Sequence, residues 1–455
     1  MFFLRRPWVA FLAIGLLGFT ASALLSLSVG IPQPGIHDEF SYLLAADTFA
    51  HGRLTNPPHP MWQHFDTFHE IQHPTYASKY PPAQGLVLAM GQVLFGRPIV
   101  GVWLSVGLAG AAICWMLAGW CPLHWAWLGG LLAVVRIVFS GLPLDGFNDY
   151  FLSWSQGYMG GSAAALGGAL VFGALPRIMK SQRLRDALWL ALGLAILANS
   201  RPFEGLVVTI PAAVVLGIWI IKSNSVSWRI RFSRVVLPVV LVLLLTAAGM
   251  GFYNFRVTGN PFLNPYQVHQ STYGIVPVFI WQPLRAEPQY VNLILQKCYR
   301  SEISPYLKER SIKGWVYEST KRIAKNWLFF FGIIFIPPML LLAASPKVWH
   351  RRNVIFPLGV CALLMAASLT ITWNYPRYDA PITCLCFLLG VESLRQARRF
   401  TWRGKLVGQH YVWGVLPMLL AAAIASFALA HHLQQPSAWY LDRAHILREL
   451  EQGPE

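Results

Sequence analysis

A chain of 455 residues that is 55% hydrophobic and only 12% charged, with 19 Trp and 27 Phe, lies outside the soluble globular range and is expected to cross a membrane many times. The net charge of +17 does not point to nucleic acid, because the basic residues fall in short clusters between apolar runs, the pattern that orients membrane helices. The six cysteines lie mostly inside apolar runs, which indicates neither a disulfide frame nor a zinc site.

Arg5 and Arg6 precede an apolar run at about 8–29, long enough to be an uncleaved anchor rather than a signal peptide. Further runs suited to spanning helices follow at about 99–119, 124–141, 157–175, 186–199, 206–221, 235–253, 327–345, 354–372, 378–394 and 411–430, about eleven spans in all. The run 83–96 begins at a Pro-Pro and is too short to span comfortably, so a juxtamembrane helix is expected there. Lys/Arg clusters around Arg177, Lys222, Lys347 and Arg395 are expected to be cytoplasmic, as is the N-terminus.

The fold class that follows is an all-α polytopic helical bundle, one domain over 1–455, with an outer loop at 30–83 and a longer outer interfacial segment at 254–326. Nearly every carboxylate then falls on the extracytoplasmic side of the plasma (inner) membrane, including Asp38, Glu39, Asp66, Glu70, Asp145, Asp149, Glu204 and Asp379. Ionisable groups converging on one membrane face mark a site. Only Arg136 lies clearly inside an apolar run.

The first outer loop carries Asp38 beside Glu39, six of the thirteen histidines and Lys79-Tyr80-Pro81-Pro82. Adjacent carboxylates on a helix point about 100° apart, so one can act as a general base while the other supports it. The same pair also suits the N-terminal turn of a helix. Lys79 ahead of the rigid prolines is placed either to bind a phosphate or to snorkel to the interface. His69, Glu70 and His73 have the spacing of a metal half-site if they lie on a helix, although Pro74 follows at once and no HExxH occurs.

Arg201-Pro202-Phe203-Glu204 sits between two apolar runs, where Arg201 either pairs with Glu204 or binds phosphate. Arg377, flanked by Tyr375 and Tyr378, either holds a phosphate beside a stacked sugar or anchors the interface. The segment 254–326 mixes aromatic, aliphatic and basic residues and reads as interfacial helix, a headgroup anchor or a lid over an anionic substrate. No nucleotide-binding fingerprint appears.

An N-terminal anchor, an outer-loop Asp-Glu pair followed by a lysine before Pro-Pro, and a late Arg-Tyr at a helix end together resemble the polytopic GT-C glycosyltransferases. The nearer likeness is to the branch of protein mannosyltransferases, aminoarabinose transferases and lipopolysaccharide sugar transferases, and it is most specific between Asp38 and Gly96. The resemblance implies Asp38 as catalytic base with Glu39 as companion acid, and Lys79, with Arg201 or Arg377, on the donor phosphate. Tyr80 stands here between the lysine and the prolines. It also implies Tyr378 beside Arg377, and a second acidic residue at Asp149 or Asp145. Apart from the resemblance, Glu204 and His73 are further candidates for a second acidic or substrate-contacting residue.

The activity so implied is inverting transfer of a monosaccharide from a polyprenyl-phosphate donor to a lipid, glycan or protein acceptor. No cofactor is required, and a divalent ion stays an open alternative. The absence of a large C-terminal soluble domain argues against oligosaccharide transfer to a polypeptide sequon. A transporter or flippase, or a noncatalytic binder of polyprenyl-linked lipids, is the competing class.

Overall fold

The computed structural model describes residues 6–140, 153–223 and 226–433, with 445, 446, 449 and 452. Helix α1 (Pro7–Val29) leads into a first loop built from α2 (His37–Ala50), a hairpin of β1 (Glu70–Ile71) and β2 (Ala77–Ser78), and α3 (Pro82–Phe95). There follow α4 (Pro98–Leu117), α5 (Leu123–Val138), α6 (Ser162–Ser181), α7 (Leu184–Ser200), α8 (Pro202–Lys222) and the long α9 (Trp228–Thr258). Proline occupies the first turn of α3, α4 and α8, where its missing N–H costs nothing and its fixed φ favours the helix.

The segment after α9 folds into α10 (Pro265–Tyr273), α11 (Leu293–Ser301), α12 (Ile303–Glu309) and α13 (Ile312–Phe330). The chain then turns into α14 (Ile336–Ala343), α15 (Arg352–Ser368), α16 (Thr383–Ala397) and α17 (Val407–Leu433).

Helices α4, α5, α6 and α16 form the centre of the bundle, and almost every residue of α16 is buried. Backbones approach closely where side chains are absent. A Cβ at Gly107 of α4 would lie 2.7 Å from the Gly15 carbonyl of α1, a contact that only small residues allow. By contrast, only 6% of the apolar window of α9 and 22% of that of α8 is buried within the protein. Apolar helices whose backbone bonds are satisfied internally but whose side chains face outward are suited to lipid, so the chain is a multi-pass membrane protein.

Among the described residues, six helices are long and apolar enough to cross a membrane, or seven if the bent pair around residues 331–332 counts as one span. The expected count of about eleven is not reached by that measure. The runs at 124–141 and 354–372 form helices of 16 and 17 residues, and 327–345 is broken by an 88° bend. The run at 378–394 yields the 15-residue α16, which is enclosed by other helices and need not match the bilayer thickness itself. The run at 83–96 is the 14-residue α3 and ends at Gly96, whose φ of 72° stops the helix.

Candidate active site

The first turn of α2 carries both Asp38 and Glu39, and they part company there. Glu39 turns into the protein, accepting from the backbone N–H groups of Gly35 at 2.8 Å and Tyr158 at 2.9 Å, which fixes the entry to α2. Asp38 turns into a cavity of about 580 Å³.

The hairpin supplies the neighbours of Asp38. It pairs Glu70 with Ser78 and Ile71 with Ala77 and is pinned onto α2, because the Ser41 hydroxyl donates to the His69 carbonyl at 2.6 Å and lies 2.7 Å from Ser78 Oγ. His69, just before β1, is held at φ 59°, an uncommon conformation for a residue with a Cβ. That kink sets its Nδ1 2.5 Å from Asp38 Oδ1. The Tyr80 hydroxyl donates to the same oxygen at 2.7 Å, and the Tyr80 ring stacks on Tyr42 with centroids 4.4 Å apart. Arg377, from the loop before α16, donates to Asp38 Oδ2 at 3.2 Å.

The cavity wall is cationic and aromatic. Lys79 is buried with its ammonium 5.2 Å from the Tyr80 ring centre and 5.5 Å from that of Tyr266 on α10. Arg201 lies 4.2 Å from the ring of Tyr378, and Arg377 lies 4.9 Å from that of Tyr375. Guanidinium groups held against aromatic faces keep their charge in a poorly solvated place. Glu204, in the first turn of α8, also lines the cavity, as do His269 and Glu302 from the segment after α9.

Electrostatics follow from that crowding. Burial acts to raise the Asp38 carboxyl, but the His69 hydrogen bond and the charges of His69, Arg377 and Lys79 outweigh it and hold Asp38 well below the usual carboxylate range. Burial, then the Lys79 charge, lowers His69 to about 4. Burial lowers Lys79 to about 8, against the pull of Asp38 and Glu302, and raises Glu302 to about 7. At neutral pH the centre is therefore an ionised Asp38 hydrogen-bonded by a neutral His69.

Several sequence candidates lie elsewhere. His69, Glu70 and His73 do not share a helical face, since they belong to the hairpin. His69 is on Asp38, Glu70 is buried and bonded to Tyr76, and the His73 ring is stacked 6.1 Å from Trp62. Among the described residues no group of three His, Cys, Asp or Glu is arranged to hold a metal ion.

Asp66 accepts from the Tyr273 hydroxyl at 2.5 Å, and Asp379 from Ser368 at 2.6 Å. Asp145 and Asp149 lie outside the described residues. Sequence reasoning missed Tyr42, Tyr266, His269 and Glu302, whose only signal was a polar residue in an amphipathic segment.

No protein-family model matches the sequence, and no curated protein matches it. Solved structures do. The oligosaccharyltransferase of Archaeoglobus fulgidus, tethered to an acceptor peptide containing an NVT sequon, superposes with a TM-score of 0.52 at 12% identity over 99% of this chain. The same archaeal protein, AglB, in complex with an inhibitory peptide and a dolichol-phosphate, gives 0.52 at 10% identity, again over 99% of this chain. ArnT of Cupriavidus metallidurans bound to undecaprenyl phosphate gives 0.47 at 15% identity over 93% of this chain and 64% of its own. The chain spans 58% of the length of the archaeal oligosaccharyltransferase. Over 99% of its length the chain has the fold of the archaeal oligosaccharyltransferase AglB.

Proposed function

We propose that the protein is a membrane glycosyltransferase that moves a monosaccharide from a polyprenyl-phosphate donor to a lipid, glycan or protein acceptor. The observation that carries this reading is the convergence of Lys79, Arg201 and Arg377 on one cavity beside the ionised Asp38. Three cations held among tyrosines suit a phosphate that gains charge as it leaves, and fixed charges in a poorly solvated site stabilise it without reorganisation. Loss of one such donor typically costs about 3 kcal/mol of transition-state stabilisation. The faces of Tyr375 and Tyr378 suit a sugar ring.

The displacement inverts the anomeric carbon. The acceptor nucleophile attacks on the Asp38 side, its proton is drawn off at the Asp38 centre, and the polyprenyl phosphate departs toward the cations. The apolar outer surface of α8 and α9 suits membrane lipids and the donor's hydrocarbon chain. Helix α16 runs from the Arg377 loop at one end to Arg395, Arg398 and Arg399 at the other, about 22 Å away. With that basic end cytoplasmic, the active site faces out of the cell across the plasma membrane.

The test is transfer from a panel of radiolabelled polyprenyl-phosphate sugars by purified protein in membranes containing native acceptor lipids, with Asp38→Asn and a chelator as controls. Transfer by the wild type that Asp38→Asn abolishes, with donor still bound, supports the reading. Donor binding without transfer under every acceptor condition sinks it in favour of a carrier.

A further inference from the structure

We infer that His69 is the group that takes the acceptor's proton, with Asp38 acting through it: Asp38 holds the ring with its proton on Nδ1, and Nε2 receives the proton of the attacking hydroxyl. This assignment rests on the glycosyl-transfer reading and deepens it.

The first ground is the occupancy of Asp38. Its Oδ1 receives both His69 Nδ1 and the Tyr80 hydroxyl, and its Oδ2 receives Arg377. Of the roughly four acceptor positions of the carboxylate three are taken, so a nucleophile using Asp38 directly meets only the remaining lone pair of Oδ2, beside the Arg377 guanidinium. A carboxylate held so low is also a weak base.

The second ground is the tautomer. An ionised carboxylate only accepts, so the 2.5 Å contact requires the proton on Nδ1 and leaves the lone pair on Nε2. His69 lines the cavity, and no described residue is bonded to its Nε2. The third ground is the backbone. His69 sits at φ 59° with its carbonyl gripped by Ser41 at 2.6 Å and by the Lys79 N–H at 3.2 Å. Strain held in place by two hydrogen bonds at a cavity wall is a device for aiming a side chain.

The charged and titratable groups facing His69 complete the case. They are His37 and Asp38 on α2, Lys79 and Tyr80 after β2, and His269 on α10, whose ring centre is 5.9 Å away. After burial, Lys79 is the strongest influence keeping the ring neutral. A donor phosphate against Lys79 offsets that charge, so His69 becomes a better base when the donor is in place.

The step balances. The acceptor O–H proton passes to Nε2, the acceptor oxygen bonds to the anomeric carbon, and the carbon–oxygen bond to phosphate breaks with its electron pair leaving on the phosphate. The imidazolium, paired with Asp38, then returns its proton to solvent.

The experiment compares wild type, His69→Asn and Asp38→Asn in the transfer assay, with donor binding probed by undecaprenyl phosphate. Asparagine tolerates the left-handed backbone and keeps a donor for Asp38 while removing Nε2. His69→Asn should lower kcat about 10²–10⁴-fold with undecaprenyl phosphate affinity within about threefold, and abolish the acidic limb of the kcat/KM profile. His69→Gly should regain activity with added imidazole, which a merely structural histidine would not. A His69→Asn enzyme with kcat within about threefold of wild type overturns the inference. If Asp38→Asn is then dead, transfer stands and Asp38 acts directly. A wild type that transfers from no donor removes both readings.

Discussion

The Arg377 guanidinium lies 3.2 Å from Asp38 Oδ2, joining the first turn of α2 to the loop before α16 across 339 residues of sequence. Arg377 is buried and Asp38 is largely shielded, so removing one leaves a poorly compensated charge. Arg377→Met should destabilise the protein by about 3–5 kcal/mol in thermal or denaturant unfolding. Adding Asp38→Asn should recover part of that loss without recovering donor binding, a non-additivity that a double-mutant cycle measures.

Acid should weaken the fold in two stages. His69 is held at about 4, below its ordinary 6.5, so the stability of its neutral buried ring is complete above pH 6.5 and is lost as pH falls toward 4. That stage is worth on the order of 3 kcal/mol. Asp38 is held below its ordinary 3.8, so its contribution is present above that value and disappears only at lower pH. Thermal midpoints in detergent from pH 8 to 3 should fall in both ranges for wild type. His69→Asn should flatten the first.

Donor phosphate affinity should fall at high pH. Lys79, lowered by burial to about 8, loses its proton there, and binding of undecaprenyl phosphate should weaken about tenfold per pH unit above that point. Lys79→Met should bind about 10–100-fold more weakly near neutrality and show no such limb. Glu302→Gln removes a charge that supports the ammonium, so it should move the limb to lower pH. Isothermal titration between pH 6.5 and 10 reads all three.

A substitution outside the cavity should also silence it. A Cβ on Gly168 of α6 would lie 1.9 Å from the Pro381 carbonyl, four residues after Arg377, and that oxygen belongs to backbone that must move. Gly168→Ala should cost about 1–3 kcal/mol and lower donor affinity by shifting the arginine loop. Unchanged affinity would mean that the loop adjusts independently of α6.

The membrane bundle was legible because apolar runs between basic clusters have few other solutions, and Asp38, Lys79, Arg201 and Arg377 were legible because charge is rare in such a chain. The count of about eleven spans is not confirmed by helix length and composition, a measure that passes over α16, whose apolar residues are buried among other helices. His69 was misplaced. Its spacing to His73 has meaning on a helix, whereas a hairpin and a left-handed backbone sent the two rings to different neighbours. Tyr80, an insertion by sequence, is the hydroxyl on Asp38. Glu302 and His269 reach the cavity through tertiary packing alone, which no local pattern encodes.

Arg136, alone within its apolar run, finds its explanation in the bend after α13. Its guanidinium donates to the carbonyls of Leu328 and Phe329, where Gly332 at φ 66° lets the chain turn by 88°. Carbonyls freed at a helix end inside a bilayer have no water to receive them, and here the arginine serves as their solvent. Helix α13 is thereby fastened as a cantilever, its root set in the bundle at the 88° bend. Its Arg322 grips the carbonyls of Ile371 and Thr372 at 2.8 Å, a few residues before Arg377. Load on the segment 254–326 has a rigid beam by which to reach Arg377.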